Sequence, residues 1–207
     1  MPAKSIFYQS PFLYICGLKY IHKSHFSERY RYIASFAKGN DTVLEPACGP
    51  AILADYLSPT SSYCGFDTNS RFIRYAQKKG INAFVGNALN QNNYQQSDVV
   101  VACDILHHLK PADRKTFIQF CFNAAKKYLI ICEPAEDRAE NGLKKMVNDF
   151  LFAFVERDGV NQPQRKECYT KKQLLAEAGH GFGTINAGIN RQMKEIGEDL
   201  IIAYQKT

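Results

Sequence analysis

The strongest constraint in this chain is a rhythm. Five short apolar runs, TVLEPA (42 to 47), SYCGFD (62 to 67), NAFVG (82 to 86), DVVVACD (98 to 104) and YLIICEP (128 to 134), alternate with helical patterns near 51 to 58, 69 to 79 and 111 to 126. Several runs are apolar at nearly every position, as strands covered on both faces must be. Strand, helix, strand in this order demands a parallel sheet with right-handed crossovers. Asn69 or Ser70 can cap the second helix, Gly80 can end it, and Pro111 suits the first turn of the third.

The tail breaks the rhythm. A helical YTKKQLLAEAG (169 to 179) precedes FGTINAGIN (182 to 190) and DLIIAYQK (199 to 206), two strand patterns whose polar connection makes a hairpin. The predicted architecture is therefore α/β, a three-layer αβα Rossmann-like sheet of seven strands, mostly parallel with one antiparallel member. Residues 137 to 168 form an insertion whose helical pattern sets Met146, Val147, Phe150, Leu151 and Phe154 on one face. At 207 residues and 45% hydrophobic, the chain can bury one substantial core.

Composition removes several alternatives. No run approaches the roughly 20 apolar residues that span a bilayer, and residues 1 to 15 lack the long apolar stretch of a secretory signal. A cytoplasmic location is expected. Seven cysteines, with no CxxC pair and with Cys64, Cys103 and Cys132 inside apolar runs, read as small buried residues rather than disulfides or a zinc site. The His22, His25 pair reads as surface, because no third ligand accompanies it, and no metal is expected. Charge is uneven: residues 1 to 40 hold six basic side chains against Glu28 alone, so +5 of the net +6 lies there. That segment is also aromatic. It reads either as two amphipathic helices with solvated lysines or as a face for a phosphate backbone, a membrane surface or an acidic small molecule.

Ligands of an open parallel sheet gather at the carboxyl ends of its strands. There the sequence places Glu45, Ala47, Cys48 and Gly49 after the first run, Asp67 and Thr68 after the second, Asn87 and Ala88 after the third, Cys103, Asp104, His107 and His108 after the fourth, and Glu133 after the fifth. Asp67, 22 residues beyond Glu45, stands where a carboxylate accepts both hydroxyls of a ribose. Asn87 can offer its amide oxygen to an adenine amino group, with the Ala88 amide beside it for a ring nitrogen. The small residues at 47, 49 and 51 allow close approach of main chain to a ligand, and Pro50 fits the opening of a helix whose amides attract an anion. GxGxxG and GxxxxGK[ST] are both missing, which argues against a dehydrogenase and a P-loop ATPase.

This ordered set resembles the class I S-adenosylmethionine-dependent methyltransferases. Their first motif, an acid followed by alternating small residues, is matched by Glu45, Ala47, Gly49 and Ala51. Their ribose acid is matched by Asp67, and their adenine-side acid corresponds to Asn87. Their fourth-strand motif is matched by VVACDILHHL (100 to 109). The resemblance covers residues 40 to 207, implying a helical cap at 1 to 40 and a methyltransferase domain at 41 to 207. Departures are Ala47 and Ala51 in place of glycines, Glu45 as the first acid, and an amide at 87. A pyrophosphate needs several exposed amides. S-adenosylmethionine presents only an amino acid end at that turn, so small residues suffice if the backbone does not force glycine.

The implied reaction is in-line displacement at the methyl carbon, releasing S-adenosylhomocysteine, with the protein supplying orientation and exclusion of water. A hydroxyl acceptor profits from a base, for which His107 and His108 are the candidates. Tyr8, Phe12, Tyr14, Tyr20, Phe150, Phe152 and Phe154 suggest an apolar cover for a flat or greasy small molecule, with Tyr8, Tyr20, Phe150 and Phe154 as substrate contacts and Lys23, Arg29 and Arg31 as attractors of an acidic group. Three readings stay open: a small-molecule or lipid methyltransferase, an RNA or protein methyltransferase using the basic segment, and a cofactor-binding protein without turnover. The first is favoured by compactness and by two apolar elements able to enclose a pocket; no Asn-Pro-Pro-Tyr sequence follows the fourth run, which weakens modification of a nucleic base without touching ribose or backbone. Oligomeric state leaves no mark in the sequence.

Overall fold

The computed structural model describes residues 6–135, 169–180 and 189–206. Its sheet contains β1 (Thr42–Pro46), β2 (Ser62–Asp67), β3 (Ala83–Val85), β4 (Ser97–Cys103), β5 (Ala125–Pro134), β6 (Ile189–Ile196) and β7 (Asp199–Lys206), in spatial order β3-β2-β1-β4-β5-β7-β6. β1 to β5 pair in parallel, and β7 runs antiparallel between β5 and β6. The strand order reverses between β1 and β4, so the carboxyl ends of these two strands open a crevice.

The unbroken apolar runs have a direct cause. Leu129 and Ile131 pack into one core with Phe117, Ile118 and Leu174, while Ile130 and Cys132 between them pack into another with Phe26, Tyr30 and Ile33. Successive side chains leave opposite faces of a strand, and here both faces are covered. The covering helices are α1 (Ile6–Gln9), α2 (Pro11–His22), α3 (His25–Ala34), α4 (Ser70–Lys78), α5 (Pro111–Ala124) and α6 (Lys171–His180). Asn69 caps α4 by accepting the Arg71 N–H at 3.1 Å, and Gly80 takes φ +78° just past its end.

Three expectations need correction. The stretch after β1 is not an α-helix but a five-residue 3-10 turn, Ile52–Tyr56, because Ala51 ahead of it is left-handed and Pro59 follows closely. Pro50 therefore opens no helix whose amides attract an anion. The first hairpin strand, described over Ile189–Ile196, runs on past the expected end at 190; residues 182 to 188 lie outside the described residues, as does the insertion at 137 to 168.

Candidate active site

At the carboxyl rim, the ends of β1, β2, β3 and β4 surround a cavity of about 370 Å³, covered by Tyr8, Tyr14, Leu18 and Tyr30 from the first three helices. The turn below it is built from alternate left-handed residues: Ala47 (φ 56°), Gly49 (φ 54°) and Ala51 (φ 58°). The condition under which small residues cost nothing is therefore not met at 47 and 51, where the backbone favours glycine. Each alanine carries a cost of roughly 1 kcal/mol for a conformation glycine adopts freely.

Glu45, next to last in β1, is 4% exposed, and its side-chain partner is the Tyr63 hydroxyl, which donates to Oε2. Glu45 lies opposite Gly65 in the ladder. A Cβ at Gly65 would stand 2.5 Å from that hydroxyl and 2.8 Å from Cys48 Sγ, so glycine there is what lets Tyr63 reach the acid. Burial, reinforced by the negative charges of Asp104 and Asp67, outweighs Tyr63 and Arg29 and pushes the Glu45 pKa up to about 8. At neutral pH this carboxyl is mostly protonated, and a cation in the cavity would ionise it.

Asp67 ends β2. Its Oδ2 accepts the Gly49 N–H at 2.9 Å and its Oδ1 accepts the Asn69 N–H at 2.7 Å, which ties the first turn to the second. The capping role belongs to Asn69, and Asp67 with the exposed Thr68 lines the cavity. Asn87 and Ala88 line it from β3, but the Asn87 amide oxygen already accepts the Leu89 N–H at 2.9 Å. Its expected offer to an adenine amino group thus competes with a local turn.

Beyond β4 the rim is densely bonded. Arg29 of α3, fully buried, donates to Asp104 at the β4 end, to Cys103 Sγ at 2.8 Å and to Asp199 of β7 at 2.9 Å, with a His22 ring nitrogen 2.8 Å away. Burial opposes ionisation of Asp104, yet Arg29, His22 and His107 together hold its carboxyl below the usual range. Asp104 is left-handed (φ 54°), and its Oδ1 is buried without a hydrogen-bond partner. Cys103, Asp104 and Cys132 are the one group of metal-ligating types that comes together among the described residues, and the Arg29 guanidinium donates into it.

Glu133, at the end of β5 and fully buried, accepts the Ile105 and Leu106 N–H groups at 2.7 and 2.6 Å through Oε1. Its Oε2 lies 2.6 Å from His107 Nδ1. The His107 ring packs on His108 with centroids 4.2 Å apart, and His108 faces the cavity.

Residues 43–127 match the sequence profile of a family described as a methyltransferase domain. No curated protein matches the sequence. Among solved structures, a SAM-dependent methyltransferase from Archaeoglobus fulgidus superposes with a TM-score of 0.67 at 16% identity, over 93% of this chain and 99% of that one. Human N-acetylserotonin methyltransferase in complex with SAM gives 0.65 at 13% identity, over 96% of this chain and 57% of that one. An O-methyltransferase family protein from Burkholderia thailandensis gives 0.63 at 15% identity, over 87% and 56%. The chain thus spans little more than half the length of the last two. The fold is that of the class I methyltransferases.

Within this methyltransferase fold, Glu45, Ala47, Cys48, Gly49, Asp67, Thr68, Asn87, Ala88, Cys103, Asp104, His108 and Tyr8 all line one cavity. His107 stands behind His108. Tyr20 does not belong to the cavity; it points outward at 72% exposure because it lies on the α2 face opposite Tyr14 and Leu18. Phe12 is likewise outward at 70%, and Phe150, Phe152 and Phe154 lie outside the described residues. Arg29 is a buried ion-pair partner, not a free attractor of acids, and His22 packs 3.2 Å from Asp199 instead of lying on the surface. Sequence reasoning missed Tyr63, Gly65, Phe72, Lys110 and Asp113. A tyrosine two residues before a glycine in β2 was the available signal for the first pair.

Proposed function

We propose that this chain transfers a methyl group from S-adenosylmethionine to a small apolar or lipid-like acceptor, at oxygen or nitrogen. One observation carries the reading: an aromatic-covered cavity at the strand ends, lined by Glu45, Asp67, Asp104 and Asp113. The residues fit that cofactor. The cavity offers carboxyls to a cationic ligand, and Asp104 keeps a buried oxygen without a partner. Asp67 sets a carboxylate in the cavity wall, fixed there by the Gly49 and Asn69 N–H groups, and a carboxylate offers about four lone-pair sites. When bound, S-adenosylmethionine supplies a methyl group on a positively charged sulfur and leaves as S-adenosylhomocysteine after a lone pair of the acceptor displaces the thioether.

The chain's own part is to hold, exclude water and move a proton. Asp67 would take the sugar hydroxyls, while Glu45 and Asp104 would oppose positive charge. Tyr8, Tyr14, Leu18 and Tyr30 would keep water from the acceptor. For a hydroxyl acceptor, His108 receives the proton on its imidazole. Glu133 holds His107 through Nδ1, and His107 in turn holds the His108 ring by contact. In this reading residues 1 to 40 act as the cap of a methyl-transfer domain at 41 to 207, in the cytoplasm. Four acids in the cavity wall weigh against an RNA phosphate backbone as its occupant.

Calorimetry with S-adenosylmethionine and S-adenosylhomocysteine tests the proposal. Wild-type protein is expected to bind both, and Asp67→Ala to bind about 100-fold more weakly, the worth of two charge-assisted hydrogen bonds. Equal binding by the two proteins, or by neither, sinks the cofactor assignment.

A further inference from the structure

The helix that lines the cavity also has an outer face, and that face is unusual. α2 reads PFLYICGLKYIH and contains no acid and no fully buried residue. Tyr14 and Leu18 turn toward the cavity, whereas Phe12 (70% exposed), Cys16 and Tyr20 (72% exposed), spaced four apart, form one outward stripe. Ile6 of α1 is 56% exposed as well. A largely apolar helix is normally enclosed, and an exposed apolar patch marks a surface that meets something.

Charge decides what that is. Lys19 and Lys23 are exposed at the α2 C-terminal end, and exposed Arg71 donates to the Gln9 carbonyl of α1 at 3.1 Å. The single acid of residues 1 to 40, Glu28, is turned to His25 at 3.2 Å and to Lys194 at 3.8 Å. A second copy of the chain docking through this stripe would bring like charges together with no acid to offset them. An anionic lipid surface would accept the aromatics at headgroup depth and attract the lysines. We propose that the outer face of α2, through Phe12, Tyr20, Lys19 and Lys23, docks the protein on the surface of an anionic phospholipid bilayer. The inward face of the same helix would then lie next to an acceptor drawn from the membrane. The docking itself does not rest on the methyl-transfer reading.

Flotation with phosphatidylcholine vesicles, with and without phosphatidylglycerol as about a third of the lipid, tests it. Wild-type protein is expected to float with the anionic vesicles only, and to be released by high salt. Phe12→Ser with Tyr20→Ser, and separately Lys19→Glu with Lys23→Glu, should each cut the bound fraction about tenfold. Their melting temperatures and S-adenosylmethionine binding should match wild type. Absence of wild-type flotation at low salt overturns the proposal, as does wild-type flotation by both variants. Elution as a dimer that Phe12→Ser with Tyr20→Ser makes monomeric would assign the stripe to a second copy and overturn it equally. Calorimetric failure with intact flotation would remove the enzymatic reading alone.

Discussion

The two halves of the rim solve the burial of carboxyl groups in opposite ways. On the β1–β2 side, Glu45 has one hydroxyl for a partner and its pKa is pushed up to about 8. On the β4–β5 side, Glu133 meets two backbone N–H groups and a histidine, and Asp104 shares the Arg29 guanidinium with Asp199. A buried charge without a partner is expensive and is avoided by taking up a proton. The first side therefore keeps its acid largely protonated instead of pairing it with a cation. The second side already holds its cation, Arg29, although one Asp104 oxygen stays without a hydrogen-bond partner.

Breaking the β4–β5 side has the largest expected effect. Arg29→Met leaves Asp104 and Asp199 facing each other without their cation, and a loss of about 3–5 kcal/mol is expected. In a thermal melt that is a drop of about 10 °C. A melt within a degree or two of wild type would mean that the ion pairs carry no stability.

His108→Ala should lower kcat on a hydroxyl acceptor about 100-fold with S-adenosylmethionine affinity unchanged. Glu133→Gln should lower it less and displace the pH profile, since it acts through His107. An acceptor ionised in solution would abolish both losses.

The β1–β2 side responds to pH. Glu45 binds its proton more tightly folded than unfolded between its ordinary value of 4.5 and about 8. Stability should accordingly fall as pH rises through that window, and Glu45→Gln should flatten the decline, by about 5 °C in melting temperature between pH 5 and 8. The same carboxyl should release a proton when a cationic ligand binds at pH 7. Calorimetry in buffers of different ionisation enthalpy would reveal this, and Glu45→Gln should not show it.

The smallest effect belongs to the turn beneath. Ala47→Gly should raise stability by about 0.5–1 kcal/mol by relieving a left-handed alanine, after the entropy that glycine adds to the unfolded chain. A decrease would mean that the Ala47 methyl group is itself needed.

Strand ends were readable because period and composition mark them. Glu45, Asp67, Asn87 and Asp104 stand one at the end of each of the first four apolar runs, and a parallel sheet brings such positions to one rim whatever lies between them. The direction of α2 was not readable. PFLYICGLKYIH is apolar on most of its circumference, with polar residues only at Lys19 and His22 near its end, so its spacing does not say that Tyr14 looks inward and Tyr20 outward. The left-handed Ala47 and Ala51 were also hidden, since alanine carries no signal for positive φ.

By itself the sequence determined the alternating sheet, the order of its acids along the chain and the seat of Asp67, because these follow from local periodicity and strand direction. Tertiary structure alone decided which charges meet. Arg29 and Asp199 are 170 residues apart, and Glu133 and His107 are joined across two strands. A cation near the start of a chain shows no preference among distant carboxylates. Only the packed sheet, by removing water from one set of them, creates the energetic reason for the pairing.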